Sequence, residues 1–105
     1  MAEAHYIDLM PHNLLGPICT AATLHVAAAC TNFSCLEEVN TPVQQMGTND
    51  RTFYPVQPEL NGPRYPVPKT QGLGVEFDEE YAMKQAFKPV EIPRLHRSDG
   101  SFTNW

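Results

Sequence analysis

Apolar and polar positions change their spacing several times along the chain, and each change marks an element. The stretch HYIDLM, residues 5–10, alternates and then turns apolar, which is the pattern of a short strand. Pro11 ends it, because proline has no N–H to give to a ladder. Gly16-Pro17 then opens a run over residues 18–30 with alanine at positions 21, 22, 27, 28 and 29. Proline suits the first turn of a helix, where its missing N–H is not needed, and alanine favours the turns that follow. Apolar residues cover most of the circumference of this helix, so it is expected to pack on more than one side. Asn32 breaks it, and FSCL, residues 33–36, reads as a second short buried strand running into Glu37 and Glu38.

Strand, loop, helix and strand in that order predict a parallel pair joined by a right-handed crossover and buried on both faces. The expected fold class is therefore α/β. From residue 40 to 70 the composition shifts to Pro, Gln, Asn and Thr, with proline at 42, 55, 58, 63, 66 and 68. An extended surface excursion is expected there. In QGLGVEFDEEYAMKQAF, residues 71–87, Gly72 and Gly74 mark a turn, residues 75–77 a brief extended run, and Asp78 the cap of a short helix with acids in its first turn. Gly72-Leu73-Gly74 lacks the third glycine and the preceding strand context of a dinucleotide loop. The tail, VEIPRLHRSDGSFTNW, predicts an edge strand ending at a Ser-Asp-Gly turn, with Phe102 and Trp105 as apolar anchors.

Composition narrows the partners. The 105 residues suffice for one domain and not for two substantial cores. A formal net charge of -5, with no cluster of Lys and Arg, disfavours nucleic acid. The apolar run over residues 18–30 is interrupted by Thr20, Thr23 and His25 and is too short to cross a bilayer, so no membrane partner is expected. Glu3, His5 and Asp8 stand where a secretory leader would need a basic start and an apolar middle, which makes a cytoplasmic location the expectation. Cys19, Cys30 and Cys35 cannot all pair within the chain and include no Cys-x-x-Cys spacing. They read as reduced, buried thiols, since a zinc site joining them to His25 would need close-set ligand pairs.

In parallel α/β proteins the loops at strand ends surround a common mouth, where functional side chains gather. His12 and Glu37 each follow a predicted strand, so a parallel pair would aim both at one site. Each also has an ordinary reading. A single histidine after a strand is commonly a loop hydrogen-bonder. Glu37 and Glu38 also fit a solvated strand end, Glu38 being the one more turned to water. His25 reads as a partner for a neighbouring helix or backbone group, His5 and His96 are weaker candidates, and Asn13 suits a turn because it tolerates left-handed backbone. Counted at period two from Phe33, Cys35 and Glu37 point one way, and Leu36 and Glu38 point toward the helix layer or its margin.

Three pieces, His-Asn-x-x-Gly-Pro at 12–17, Gly-Leu-Gly-Val-Glu at 72–76 and the terminal Asp-Gly-Ser, stand in this order along nearly the whole chain. Together they resemble the C-terminal part of the mandelate racemase/muconate lactonizing enzyme family of the enolase superfamily, nearest to acid-sugar dehydratases of the galactonate dehydratase type. The resemblance implies a (β/α)7β TIM-like barrel with an α+β capping domain. Residues 1–40 would be its last strand-helix-strand, 41–70 an extended Pro-rich loop segment, and 71–105 a return to the capping domain.

The resemblance further implies that His12 is the acid/base histidine after the seventh strand and that Glu37 is the carboxylate after the eighth, both touching substrate. The implied reaction is removal of the proton next to a sugar-acid carboxylate, with Mg2+ stabilising the enediolate, followed by loss of the β-hydroxyl to leave a 2-keto-3-deoxy acid. Racemisation or epimerisation within the family stays open. The family's metal ligands, its other catalytic base and the Asp that partners the histidine lie on earlier strands, so Mg2+ is expected in the complete enzyme and not on this chain alone. A barrel closes with about 250 residues, of which the chain would supply roughly the last quarter. Its expected partners are the missing N-terminal barrel and capping segments, and further copies in a homo-oligomer. On that reading Met1 is an internal methionine and the chain alone is inactive. A different reading, motivated by the Met start and terminal Trp, is a stand-alone, non-catalytic interaction module derived from a barrel end.

Overall fold

The computed structural model describes residues 1–38, 49–89 and 95–103. Two of its backbone hydrogen bonds set the arrangement around the site. Leu9 N–H donates to the Asn32 carbonyl at 2.8 Å, and Ser34 N–H donates to the Leu9 carbonyl at 2.9 Å. These make a parallel bridge between Leu9 and Phe33, so the expected parallel pairing is present. It is far shorter than the two predicted strands. Upstream, the His5 and Tyr6 amides turn back to the Ala2 and Glu3 carbonyls, closing a 3-10 turn over Glu3–His5 with Tyr6 left-handed at φ 55°. Downstream, the next donor in register would be Pro11, which has none. The ladder is reduced to one step between a local turn and a proline.

Helix α1, Pro17–Ala29, follows the predicted pattern with Pro17 in its first turn. Its N-cap is Gly16, at φ 91° and ψ -172°, a backbone region open essentially to glycine alone. That conformation turns the chain sharply from the 12–15 loop into the helix. Pro17, Thr20 and Ala21, one stripe at i, i+3 and i+4, are the buried residues of α1. The expectation of packing on several sides is not met within the described residues, where Ile18 stays 47% and Val26 57% exposed. The reason is a shortage of neighbours: the described chain covers one face of this all-round apolar helix.

The described part of the Pro-rich segment carries turns and isolated bridges. Val56 pairs antiparallel with Glu76, Asp78 N–H reaches the Phe53 carbonyl at 2.8 Å, and the rings of Phe53 and Tyr81 meet edge-on at 5.1 Å. These contacts dock the short helix α2, Glu79–Lys84, whose cap forms as predicted: Asp78 Oδ1 accepts from Tyr81 N–H at 2.8 Å. Gly74 at φ 70° closes the predicted turn, and a Cβ there would fall 2.3 Å from Thr70 Oγ1. The tail forms a hairpin of β1, Leu95–His96, and β2, Phe102–Thr103, around the Ser-Asp-Gly turn. Phe102 is no buried anchor: it is exposed and lies against the His96 ring, centroids 4.6 Å apart. Trp105 lies outside the described residues. No helix among the described residues is long and apolar enough to cross a membrane.

The dimensions match the open helix face. The Cα radius of gyration is 17.2 Å, against about 13 Å for a compact domain of this length. The accessible surface is 8819 Å², about half as much again as the ~5,900 Å² expected of a folded monomer of this mass.

The entry into α1 gives a direct test. Gly16→Ala forces an L-residue into a glycine-only region and is expected to destabilise α1 by about 1–3 kcal/mol, read as lost helicity in circular dichroism and a lower urea midpoint. Unchanged helicity would mean that the 12–17 loop does not hold this backbone.

Candidate active site

The site lies just past the parallel bridge, where both extended segments end. Pro11 offers no donor, but its carbonyl accepts from Glu37 N–H at 3.4 Å, which keeps the two segment ends together. The next residue, His12, is mostly exposed, and its Nδ1 meets Glu37 Oε2. The same Oε2 accepts the Asn13 backbone N–H at 3.3 Å. Both contacts to Glu37 use one oxygen. A carboxylate oxygen in this position accepts, so His12 presents a protonated Nδ1 and its Nε2 is the nitrogen left to exchange a proton.

Beneath this pair lies a buried polar layer. Asn13 is 2% exposed, and its Nδ2 donates to Thr20 Oγ1 at 2.8 Å and to Glu38 Oε2 at 3.2 Å. The Thr20 hydroxyl lies 3.1 Å from the Gly16 carbonyl, tying the layer to the start of α1. Tyr65 hydrogen-bonds Glu38 from the Pro-rich segment. Burial raises the Glu38 carboxyl above its ordinary range, partly opposed by the hydrogen bonds from Tyr65 and Thr20. Burial likewise raises the Tyr65 hydroxyl, and the Glu38 charge and hydrogen bond push the same way. Asn13 Oδ1 and His25 Nε2 are buried without a hydrogen-bond partner among the described residues.

The sequence pattern and the structure thus put His12 and Glu37 in contact, and they separate Glu37 from Glu38 by side. Glu38 is not the water-facing residue of the ordinary reading. It is half-buried because Asn13, Thr20 and Tyr65 surround it with donors. Asn13 is not a left-handed turn residue either, since Tyr6 is the one non-glycine at positive φ among the described residues. It serves as a buried donor. His25 does not find the partner expected of it within the described residues. Sequence reasoning missed Thr20 and Tyr65. Thr20, four residues past Gly16 on the buried stripe of α1, carried a faint signal; Tyr65, in a segment without periodicity, carried none. Cys19 and Cys30 are partly buried and Cys35 is exposed, all three free, so Cys35 departs from the buried reading because it sits on the open side of its short segment.

Between α1 and the Pro-rich segment runs a groove of about 450 Å³, lined by Leu24, Phe33, Leu36, Glu38, Tyr65 and Val67 among others. Its lining is mostly apolar, with Ser34, Glu38, Arg64 and Tyr65 as the polar members.

Comparison with known proteins identifies the frame to which this site belongs. The family described as "Enolase C-terminal domain-like" matches residues 1–81. A D-galactonate dehydratase family member of Streptomyces bingchenggensis (strain BCW-1) is 33% identical over 108 residues, covering 100% of this chain and 25% of its own. A D-galactonate dehydratase of Xanthomonas axonopodis pv. citri is 35% identical over 111 residues, 100% of this chain and 28% of its own. A D-mannonate dehydratase of Caulobacter vibrioides is 32% identical over 107 residues, 99% of this chain and 25% of its own. The chain spans about a quarter of the length of these relatives. A helix between two extended segments joined by a parallel bridge, polar residues at their open end and a family match over more than three quarters of the sequence agree: the chain belongs to the enolase C-terminal domain-like family of the enolase superfamily.

Proposed function

We propose that the chain is the C-terminal portion of an acid-sugar dehydratase and that it brings His12 and Glu37 to the mouth of a (β/α)7β barrel. On this reading residues 1–40 are the last strand-helix-strand, 41–70 the Pro-rich excursion and 71–105 the return to the capping domain. One observation carries the proposal: His12 Nδ1 on Glu37 Oε2 at the open end of the parallel pair. The relatives named as D-galactonate and D-mannonate dehydratases support the substrate class.

The reaction is a β-elimination. A base elsewhere in the complete protein takes the proton next to the substrate carboxylate. The carbon–oxygen bond at the β carbon then breaks, and His12 gives its Nε2 proton to the departing oxygen, which leaves as water. The enol that remains becomes a 2-keto-3-deoxy acid. Glu37 Oε2 on His12 Nδ1 leaves Nε2 as the nitrogen that hands over the proton. The resemblance also implies that Glu37 touches the substrate.

Bound Mg2+ would supply stabilisation of the enediolate. Among the described residues no three His, Cys, Asp or Glu side chains come together. They do not form a site for the ion; carboxylates outside the chain would hold it in the complete protein.

The exposed apolar faces of α1 could also serve a stand-alone interaction module. Full coverage of the chain within relatives about four times longer favours the fragment. On this reading the 105 residues expressed alone should bind hydrophobic dyes and associate, and co-expression with the remaining part of the Xanthomonas axonopodis relative should abolish both. A monodisperse, dye-negative chain with a cooperative melt would favour the module instead.

Activity is tested in a chimera in which this chain replaces its matching segment of the Xanthomonas axonopodis enzyme. Galactonate should be converted to a 2-keto-3-deoxy acid. His12→Asn should lower turnover by about 100- to 10,000-fold with an unchanged melting curve, because the side chain is mostly exposed. Glu37→Gln should also lose turnover, and Glu38→Gln, which keeps an acceptor oxygen for Asn13, should change it little. Wild-type turnover in His12→Asn would remove this residue from the reaction, and the reverse ranking of the two glutamates would put the wrong one at the mouth.

A further inference from the structure

We propose that Thr20 is a positioning residue for His12, its hydroxyl closing the loop that runs from the first extended segment into α1. The inference rests on the dehydratase reading for its purpose and on geometry for its content. Thr20 is 5% exposed, and its Oγ1 reaches both ends of the loop. Asn13 Nδ2 lies 2.8 Å from it and the Gly16 carbonyl 3.1 Å. One hydroxyl therefore spans residues 13–16, where the backbone turns into the helix. His12 stands just before this closure, between two held neighbours: the Pro11 carbonyl accepts the Glu37 backbone N–H at 3.4 Å, and the Asn13 amide is fixed by Thr20. The imidazole is 73% exposed and has little packing of its own. Its place follows from the backbone on either side.

The direction of these bonds is set by the groups present. Thr20 has one hydroxyl proton, and both the Gly16 carbonyl and the Glu38 carboxylate are acceptors for it. Toward Asn13 the Thr20 oxygen therefore accepts, while Glu38 Oε2, 3.2 Å from Nδ2, takes the second amide proton. Asn13 is 2% exposed, so removing the Thr20 oxygen leaves an N–H proton buried without an acceptor. The loop must shift to hydrate it or to pair it again. Nothing in the helix itself demands threonine here, since Thr, Val and Ser have similar helix preferences and a hydroxyl bonded back to the i-4 carbonyl does not strengthen a helix. Two substitutions separate the hydroxyl from the shape: Thr20→Val keeps the branched outline and loses the bonds, and Thr20→Ser keeps the hydroxyl and loses only the methyl.

The test uses the full-length chimera, in which α1 has its neighbours. Crystal structures of the chimera and of its Thr20→Val and Thr20→Ser variants report the place of His12 without any turnover. Thr20→Val is expected to displace the 12–16 loop and the imidazole by about 1 Å, a shift large enough to cost a catalytic group about 100-fold. Thr20→Ser should leave both in place. In the kinetics Thr20→Val should lower galactonate turnover by about 10- to 100-fold with KM little changed, and Thr20→Ser should recover it. Added to His12→Asn, Thr20→Val should cost nothing further, because a residue acting only through His12 has nothing left to position. Should Thr20→Val fail to fold, Asn13→Ala cuts the same bond from the other side and carries the same expectations. An imidazole left in place by Thr20→Val, one moved equally by Thr20→Ser, or a further loss on top of His12→Asn would overturn the proposal. An inactive unmodified chimera bears on dehydration and an unmoved His12 bears on Thr20, so the two failures are distinct.

Discussion

Everything at the candidate site depends on a parallel pairing only one bridge long. Leu9 gives its N–H to Asn32 and takes one from Ser34, and this fixes the register in which Pro11 lies beside Glu37. Shifting either segment by one residue would exchange the sides of Glu37 and Glu38. His12 would then face the wrong carboxylate. Pro11 contributes twice: it ends the ladder because it lacks a donor, and its carbonyl still catches Glu37 N–H. The chain is thereby freed to turn through Gly16 into α1 within a few residues of the pairing.

So short a pairing holds because polar contacts add to it. Asn13 and Thr20, both nearly fully buried, connect the pair to the helix start, and Tyr65 connects Glu38 to the Pro-rich segment. A buried polar layer of this kind is costly when a member lacks a partner, since an unsatisfied buried group costs about 1–3 kcal/mol. Asn13 Oδ1 and His25 Nε2 are such members among the described residues. Together with the exposed faces of α1 and a surface about half as large again as that of a compact monomer of this mass, they mark a structure that gains from further covering. That is the physical ground on which the fragment reading stands beside the length of the relatives.

The parts of the fold legible in the sequence are those governed by local chemistry. Gly-Pro before an alanine-rich run gives α1, Asp78 before two acids gives the cap of α2, and Gly72 and Gly74 give the turn between them and the Pro-rich segment. The order strand, helix, strand was enough for the parallel direction of pairing. Strand length was not legible, because the HYIDLM alternation competes with a local 3-10 turn that satisfies the His5 and Tyr6 amides without a partner strand. At the site, the contact between His12 and Glu37 followed from their places after the two segments. The donors around Glu38 did not, because Tyr65 is 27 positions away in a segment with no period to place it.

The central claim, that His12 and Glu37 act as one unit at the end of this pairing, is tested most directly by a double-mutant cycle on turnover in the chimera. His12→Asn and Glu37→Gln are measured singly and together. If Glu37 works through His12, the double variant should be little worse than His12→Asn alone, since losses within one catalytic unit do not add. Losses that multiply in full would show that the two side chains act independently and would contradict the claim.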